Sequence, residues 1–156
     1  MLESVKKYNL VFPKELIKNI YDLKNQGMAE MRSNVLGWQS PQYTNIKTIP
    51  WIDDFIKQCI SVAELQGFPS HVWFNISPKN AYHRWHDHGQ AVKQAGVFYI
   101  QIPENSGNIE FKENDKIYSI VPYEGLLLVF PKIKHRVLPN NSDQDRISMG
   151  FNIFDK

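Results

Sequence analysis

The chain has 156 residues, 42% hydrophobic, 13% aromatic and 22% charged, enough apolar material for one ordinary globular core and too much for a disordered chain. Eighteen Lys and Arg stand against sixteen Asp and Glu, a formal net charge of +2, which provides no basic footprint for nucleic acid. The lone Cys59 excludes an internal disulfide and any cysteine-based zinc cluster. The N-terminal MLESVKKYNLVFPKEL lacks the run of about 7–15 apolar residues that a secretory leader requires, and the longest apolar run anywhere is Leu126–Phe130. The expectation is a cytoplasmic protein with no membrane segment.

In chain order, the first predicted element is a helix with Pro13 at N1 and Leu16, Ile17, Ile20 and Leu23 at helical spacing before Gly27. Residues 33–40, Ser-Asn-Val-Leu-Gly-Trp-Gln-Ser, are too rich in turn formers to continue it. A second helix starts at Pro50–Trp51, has Asp53 and Asp54 in its first turn, and carries the stripe Ile52, Phe55, Ile56, Cys59, Ile60 and Ala63 towards an end near Gly67-Phe68-Pro69. From residue 71 the pattern changes to short β-branched and aromatic segments at 72–77, 96–102, 108–112, 117–121, 125–130 and 146–154. The last shows period two, with Ile147, Met149, Phe151 and Ile153 on one face and Ser148, Gly150 and Asn152 on the other. Six or more strands without intervening helices predict one domain over 1–156. It is mainly β within the α+β class, a jelly roll over 70–156 with a mostly helical layer over 1–69.

Five histidines are present, and His83, His86, His88 and His135 fall in the β half. His86 and His88 are two apart, so an extended backbone projects both imidazoles from one face, the way a strand supplies two cis metal ligands. His135 follows the strand 125–130 and the turn Pro131–Lys134, from which a jelly roll can return it beside the pair. Eleven residues on, Arg146 opens the last strand with Ser148 on the same face, a guanidinium and a hydroxyl suited to gripping a carboxylate. A rim ion pair to Asp143 or Asp145 is the alternative for Arg146.

The ordered set His86-Asp87-His88, His135 and Arg146-Ile-Ser148 resembles the His-x-Asp … His … Arg-x-Ser signature of Fe(II)/2-oxoglutarate-dependent oxygenases. More closely, the chain resembles an uncharacterised His-x-His subfamily of these, distantly similar to prolyl hydroxylases. The likeness runs over roughly residues 33 to 154 through Ser33–Ser40, Trp73-Phe-Asn75, Gly96–Ile100, Gly125–Pro131, His135-Arg-Val and Arg146–Asn152. It implies a double-stranded β-helix, with His86, His88 and His135 as ligands to Fe(II). Arg146, assisted by Ser148, would bind the C5 carboxylate of 2-oxoglutarate, with Tyr99 reaching the same group and Asn75 as a further contact. It also implies O2 as co-substrate, decarboxylation of 2-oxoglutarate to succinate, and hydroxylation of a C–H bond on a peptidyl or small-molecule substrate.

The chain departs from the pattern at His88, where the superfamily carries a carboxylate. On a regular strand the nearest acid, Asp87, points to the opposite face, unless a bulge turns it inward. Arg84, Trp85 and the loop Gly89–Gln94 are expected at the mouth of the site. Two other readings compete. His-x-His with Pro122-x-x-Gly125, Phe130-Pro131 and His135 is also similar to the two cupin motifs, although Val92 and Lys93 stand where the cupin glutamate belongs. The third reading is a non-catalytic jelly-roll binding module.

Overall fold

A computed structural model describes residues 3–66, 68–88 and 92–154. Its frame is two antiparallel sheets. Strand β4 (Phe68–Ser77) lies in the larger sheet and β5 (Tyr82–His86) in the smaller. β6 (Val92–Gln101) returns to the larger sheet, and β7 (Ile109–Glu113) and β8 (Lys116–Ile120) form a hairpin in the smaller. β9 (Leu126–Phe130), β10 (Lys134–Val137) and β11 (Arg146–Phe154) then alternate larger, smaller, larger. The resulting orders, β9-β6-β11-β4 and β5-β10-β7-β8, are those of a double-stranded β-helix.

The two faces of the larger sheet meet different layers. On β11, Ile147, Met149, Phe151 and Ile153 pack with Val72, Phe74 and Ile76 of β4 against helix α2 (Pro50–Val62), which contributes Ile52, Phe55, Ile56 and Cys59. Leu16 and Ile20 of helix α1 (Glu15–Asn25) close this layer. The opposite face of the sheet meets the smaller sheet through Leu126, Leu128, Phe130, Phe111 and Ile109. This two-sided burial explains why 126–130 reads as an unbroken apolar run.

The segment expected to be mostly helical, 1–69, differs from that form. Among its described residues only the 11 of α1 and the 13 of α2, with one turn of 3₁₀ helix at Ile46–Thr48, are helical. Three short strands extend the sheets: β1 (Lys6–Asn9) pairs with β9, β2 (Asn34–Val35) with β5, and β3 (Trp38–Gln39) with β4. Pro13 precedes the first helix rather than occupying N1. The second helix stops about four residues early because Glu64 adopts a positive φ of 52° while Leu65 N–H bonds to Ile60 O and Glu64 N–H to Ser61 O, a Schellman closure. Gly67 lies outside the described residues, as do 89–91 of the expected mouth loop; Val92–Gln94 belong to β6.

Candidate metal centre

The even-numbered residues of β11, from Arg146 to Phe154, face away from the helices and line a cavity of about 410 Å³ between the sheets. His71, Trp73 and Asn75 of β4 line it from one side, Val97 and Tyr99 of β6 from the other. The indole of Trp73 lies over Gly150, where a Cβ would fall 2.4 Å from Cε2, so only glycine admits it.

Three imidazoles converge in this cavity. His86 ends β5 opposite His135 on β10, and His88 follows two residues later. One ring nitrogen from each lies within 4.8 Å of the others, and the His88 and His135 Nε2 atoms are 3.2 Å apart. Phe130 and Phe111 wall the cluster, their ring centres 4.9 and 5.8 Å from that of His135. Asp87 is exposed and outside the convergent group.

In every case the Nδ1 atom faces an oxygen that can only accept. His86 Nδ1 donates to Arg84 O at 2.6 Å, His135 Nδ1 to Ile133 O at 2.9 Å, and His88 Nδ1 to Asn152 Oδ1 at 2.5 Å. The three Nε2 atoms therefore present lone pairs. Burial pushes His88 down to about 4 and lowers His86 and His135 below the ordinary histidine range, His135 furthest, so all three are neutral at pH 7. Two bare lone pairs 3.2 Å apart repel unless a cation lies between them. Imidazoles bonded at about 2.1 Å to one first-row ion span roughly that separation, and orienting acceptors on Nδ1 are the usual companions of metal-bound histidine. The residues fit a divalent metal.

On the same floor lies an anion-binding corner. Arg146 is 3% exposed, and its Nη1 donates to the carbonyl oxygens of Ser106 and, at 3.2 Å, Leu138. Gly107, at φ +100°, makes room for it, since a Cβ there would sit 2.8 Å from Nη1. Burial lowers its pKa to about 10, which leaves it charged at neutral pH. Neither expected rim partner pairs with it: Asp143 bonds Lys79 at 3.0 Å and Asp145 accepts from Tyr21 at 2.6 Å. Arg146 Nη2, Tyr99 OH and Asn75 Oδ1 are buried without hydrogen-bond partners among the described residues. Ser148, opposite Asn75 on β4 and Tyr99 on β6, accepts from Asn75 Nδ2 at 3.5 Å rather than bonding Arg146. A buried cation and bare donors beside three neutral imidazoles make a corner suited to a carboxylate.

Sequence reasoning passed over two residues here. His83 lines the cavity because two steps along β10, His135 to Val137, oppose three along β5, His86 to His83, a bulge that turns both histidines inward. Its Nδ1 lies 3.2 Å from Ser33 Oγ, and burial, with the Arg146 charge adding to it, pushes its pKa down to about 3. Asn152 was read only as part of a polar face; that face lines the cavity. Arg84 and Trp85 lie outside the large cavity and border a smaller one, where Arg136 stacks on Trp85 at 4.6 Å.

No protein-family model and no curated sequence matches the chain. Solved structures do. A prolyl-4-hydroxylase from Pseudomonas putida superposes with a TM-score of 0.69 at 15% identity, over 98% of this chain and 93% of that one. The viral collagen prolyl hydroxylase of Paramecium Bursaria Chlorella virus-1, solved as a 2OG complex, gives 0.67 at 16% identity, over 99% and 97%. The Trichoplax adhaerens prolyl hydroxylase, solved with a hypoxia inducible factor peptide, gives 0.74 at 14% identity, over 97% and 84%. The chain is thus distantly similar to 2OG-Fe(II) oxygenases, and at these identities the likeness establishes the fold. Among the described residues no helix is long and apolar enough to cross a membrane.

Proposed function

We propose that this double-stranded β-helix is an Fe(II)- and 2-oxoglutarate-dependent dioxygenase, hydroxylating a C–H bond of a peptidyl or small-molecule substrate. The observation that carries the reading is Arg146, a buried guanidinium without an acidic partner among the described residues, in one cavity with three convergent imidazoles. In this reading His86, His88 and His135 hold the metal. Arg146 Nη2 and Tyr99 OH donate to the far carboxylate of 2-oxoglutarate, while Asn75, braced on Ser148, packs beside it. Bound there, Fe(II) and 2-oxoglutarate supply the oxidising chemistry: O2 and 2-oxoglutarate are consumed, succinate and CO2 are released, and one oxygen atom enters the substrate.

The chain's own contribution is position and exclusion. Carbonyl and amide oxygens on Nδ1 fix each imidazole with Nε2 towards the metal position. Phe130 and Phe111 keep water from the back of the cluster. Trp73, beside His88 at 5.6 Å between ring centres, offers an apolar wall for the substrate. A cytoplasmic setting agrees with a lone thiol, Cys59, that is fully buried. A cupin-type three-His protein or a non-catalytic module has no use for the bare Arg146, Tyr99 and Asn75 corner.

Anaerobic titration with Fe(II) and 2-oxoglutarate tests the proposal. A weak visible charge-transfer band that needs both components and vanishes in His135→Ala is the expected result. Fe(II) binding without such a band refutes the oxygenase reading.

A further inference from the structure

Of the three convergent imidazoles, two are oriented by the main chain: His86 and His135 each donate to the carbonyl two residues earlier in the chain, Arg84 O and Ile133 O. No substitution removes those acceptors. His88 lies beyond the end of β5 and is held instead by a side chain from the other sheet, Asn152 Oδ1 at 2.5 Å. Asn152 is 6% exposed and fixed in the nine-residue strand β11 between its partners His71 on β4 and Ala95 on β6.

We propose that Asn152 is the positioning residue of the metal centre: its amide oxygen holds His88 as the Nδ1–H tautomer and aims His88 Nε2 at the metal position. His88 replaces the carboxylate that the similar signature carries, so this corner supplies a neutral ligand whose ring is free to rotate without an anchor. The amide oxygen presented to Nδ1 is an acceptor, which favours the tautomer with hydrogen on Nδ1 over that with hydrogen on Nε2. The other tautomer would point a proton at His135 Nε2, 3.2 Å away, and close the cluster on itself.

The inference rests on the metal-binding half of the proposed function and is tested on the full chain, first metal-free and then with Co(II) alone. Asn152→Leu keeps the size and removes the acceptor, whereas Asn152→Asp keeps an acceptor. In the metal-free protein, nitrogen-15 NMR should find His88 protonated at Nδ1 in the wild type and in Asn152→Asp, and that preference lost in Asn152→Leu. Co(II) affinity should fall about 10–100-fold in Asn152→Leu and be equal or higher in Asn152→Asp. A loss below threefold in Asn152→Leu with the Nδ1–H tautomer retained overturns the proposal, as does an equal loss in both variants. If Asn152→Leu does not fold, Asn152→Asp decides: affinity at or above wild type supports the role, and a tenfold loss overturns it. Equal Co(II) binding by wild type and Asn152→Leu leaves the oxygenase reading untouched. Co(II) binding by a wild type that shows no charge-transfer band with Fe(II) and 2-oxoglutarate fails that reading and leaves the role of Asn152 standing.

Discussion

Replacing Arg146 by Gln removes a buried positive charge whose Nη1 is committed to two carbonyl oxygens and whose Nη2 is bare. A charge-assisted hydrogen bond to a carboxylate contributes about 1.5–3 kcal/mol, and the buried setting favours the upper half of that range. A loss of about 2–3 kcal/mol corresponds to a roughly 30–150-fold weaker hold on 2-oxoglutarate. The far carboxylate is the group concerned, so the loss should disappear for 2-oxobutyrate, which keeps the chelating end and lacks that carboxylate. The assay is anaerobic titration of the Fe(II)-loaded protein with each 2-oxo acid, following the charge-transfer band, with Co(II) affinity as a control that should stay within threefold. Wild type should prefer 2-oxoglutarate by about the factor that the variant forfeits. Equal loss for both acids, or 2-oxoglutarate binding within threefold of wild type, refutes the role assigned to Arg146.

Acid should destabilise the metal-free protein early. His83 and His88 have native pKa values depressed to about 3 and about 4, so the unfolded chain takes up protons that the native cavity refuses. Stability is complete above the unfolded value of about 6.5 and falls below it, by about 1.4 kcal/mol per pH unit for each such group. Urea midpoints between pH 7.5 and 5 measure this, and a flat profile contradicts it. Gly150→Ala drives a methyl group into the Trp73 ring, for a cost of about 1–3 kcal/mol and a Tm lowered by roughly 3–10 °C. An unchanged Tm would show that the indole does not depend on this glycine. Glu64→Gly should raise stability by up to about 1 kcal/mol, since φ of 52° at the helix C-terminus favours glycine; denaturant unfolding checks the sign.

The parts of the molecule legible in the sequence are those whose pattern is local. Alternation along 146–154 reveals β11 because one face is uniformly apolar, and the spacing of His86 and His88 shows that an extended chain presents both together. Strands β2 and β3, two residues each, exist because Tyr82, His83, Asn75 and Ile76 offer paired edges, and a two-residue strand carries no periodicity of its own. β1 is likewise created by its partner, being mostly exposed Lys6–Asn9 laid on the apolar β9. His83 and His86, three apart, fall on opposite faces of any regular strand, and only the bulge against β10 brings both inside. The carbonyls of Ser106 and Leu138 that anchor Arg146 come from loops 40 and 8 residues away, which no spacing rule connects. Polar residues alternating with apolar ones imply a solvent face by default; here Asn152 faces a cavity.

β11 is hydrogen-bonded along its length to β4 on one side and β6 on the other, and its alternate residues belong to the helix-facing core and to the cavity. A slip of one residue would carry Arg146, Ser148 and Asn152 into the layer beneath the helices and turn Phe151 towards the imidazoles. No partly registered strand can therefore hold half a site. The amides of 147–153 should exchange with solvent only when the whole molecule opens. Damage elsewhere in the fold then reduces the number of competent molecules and leaves the chemistry of each survivor intact.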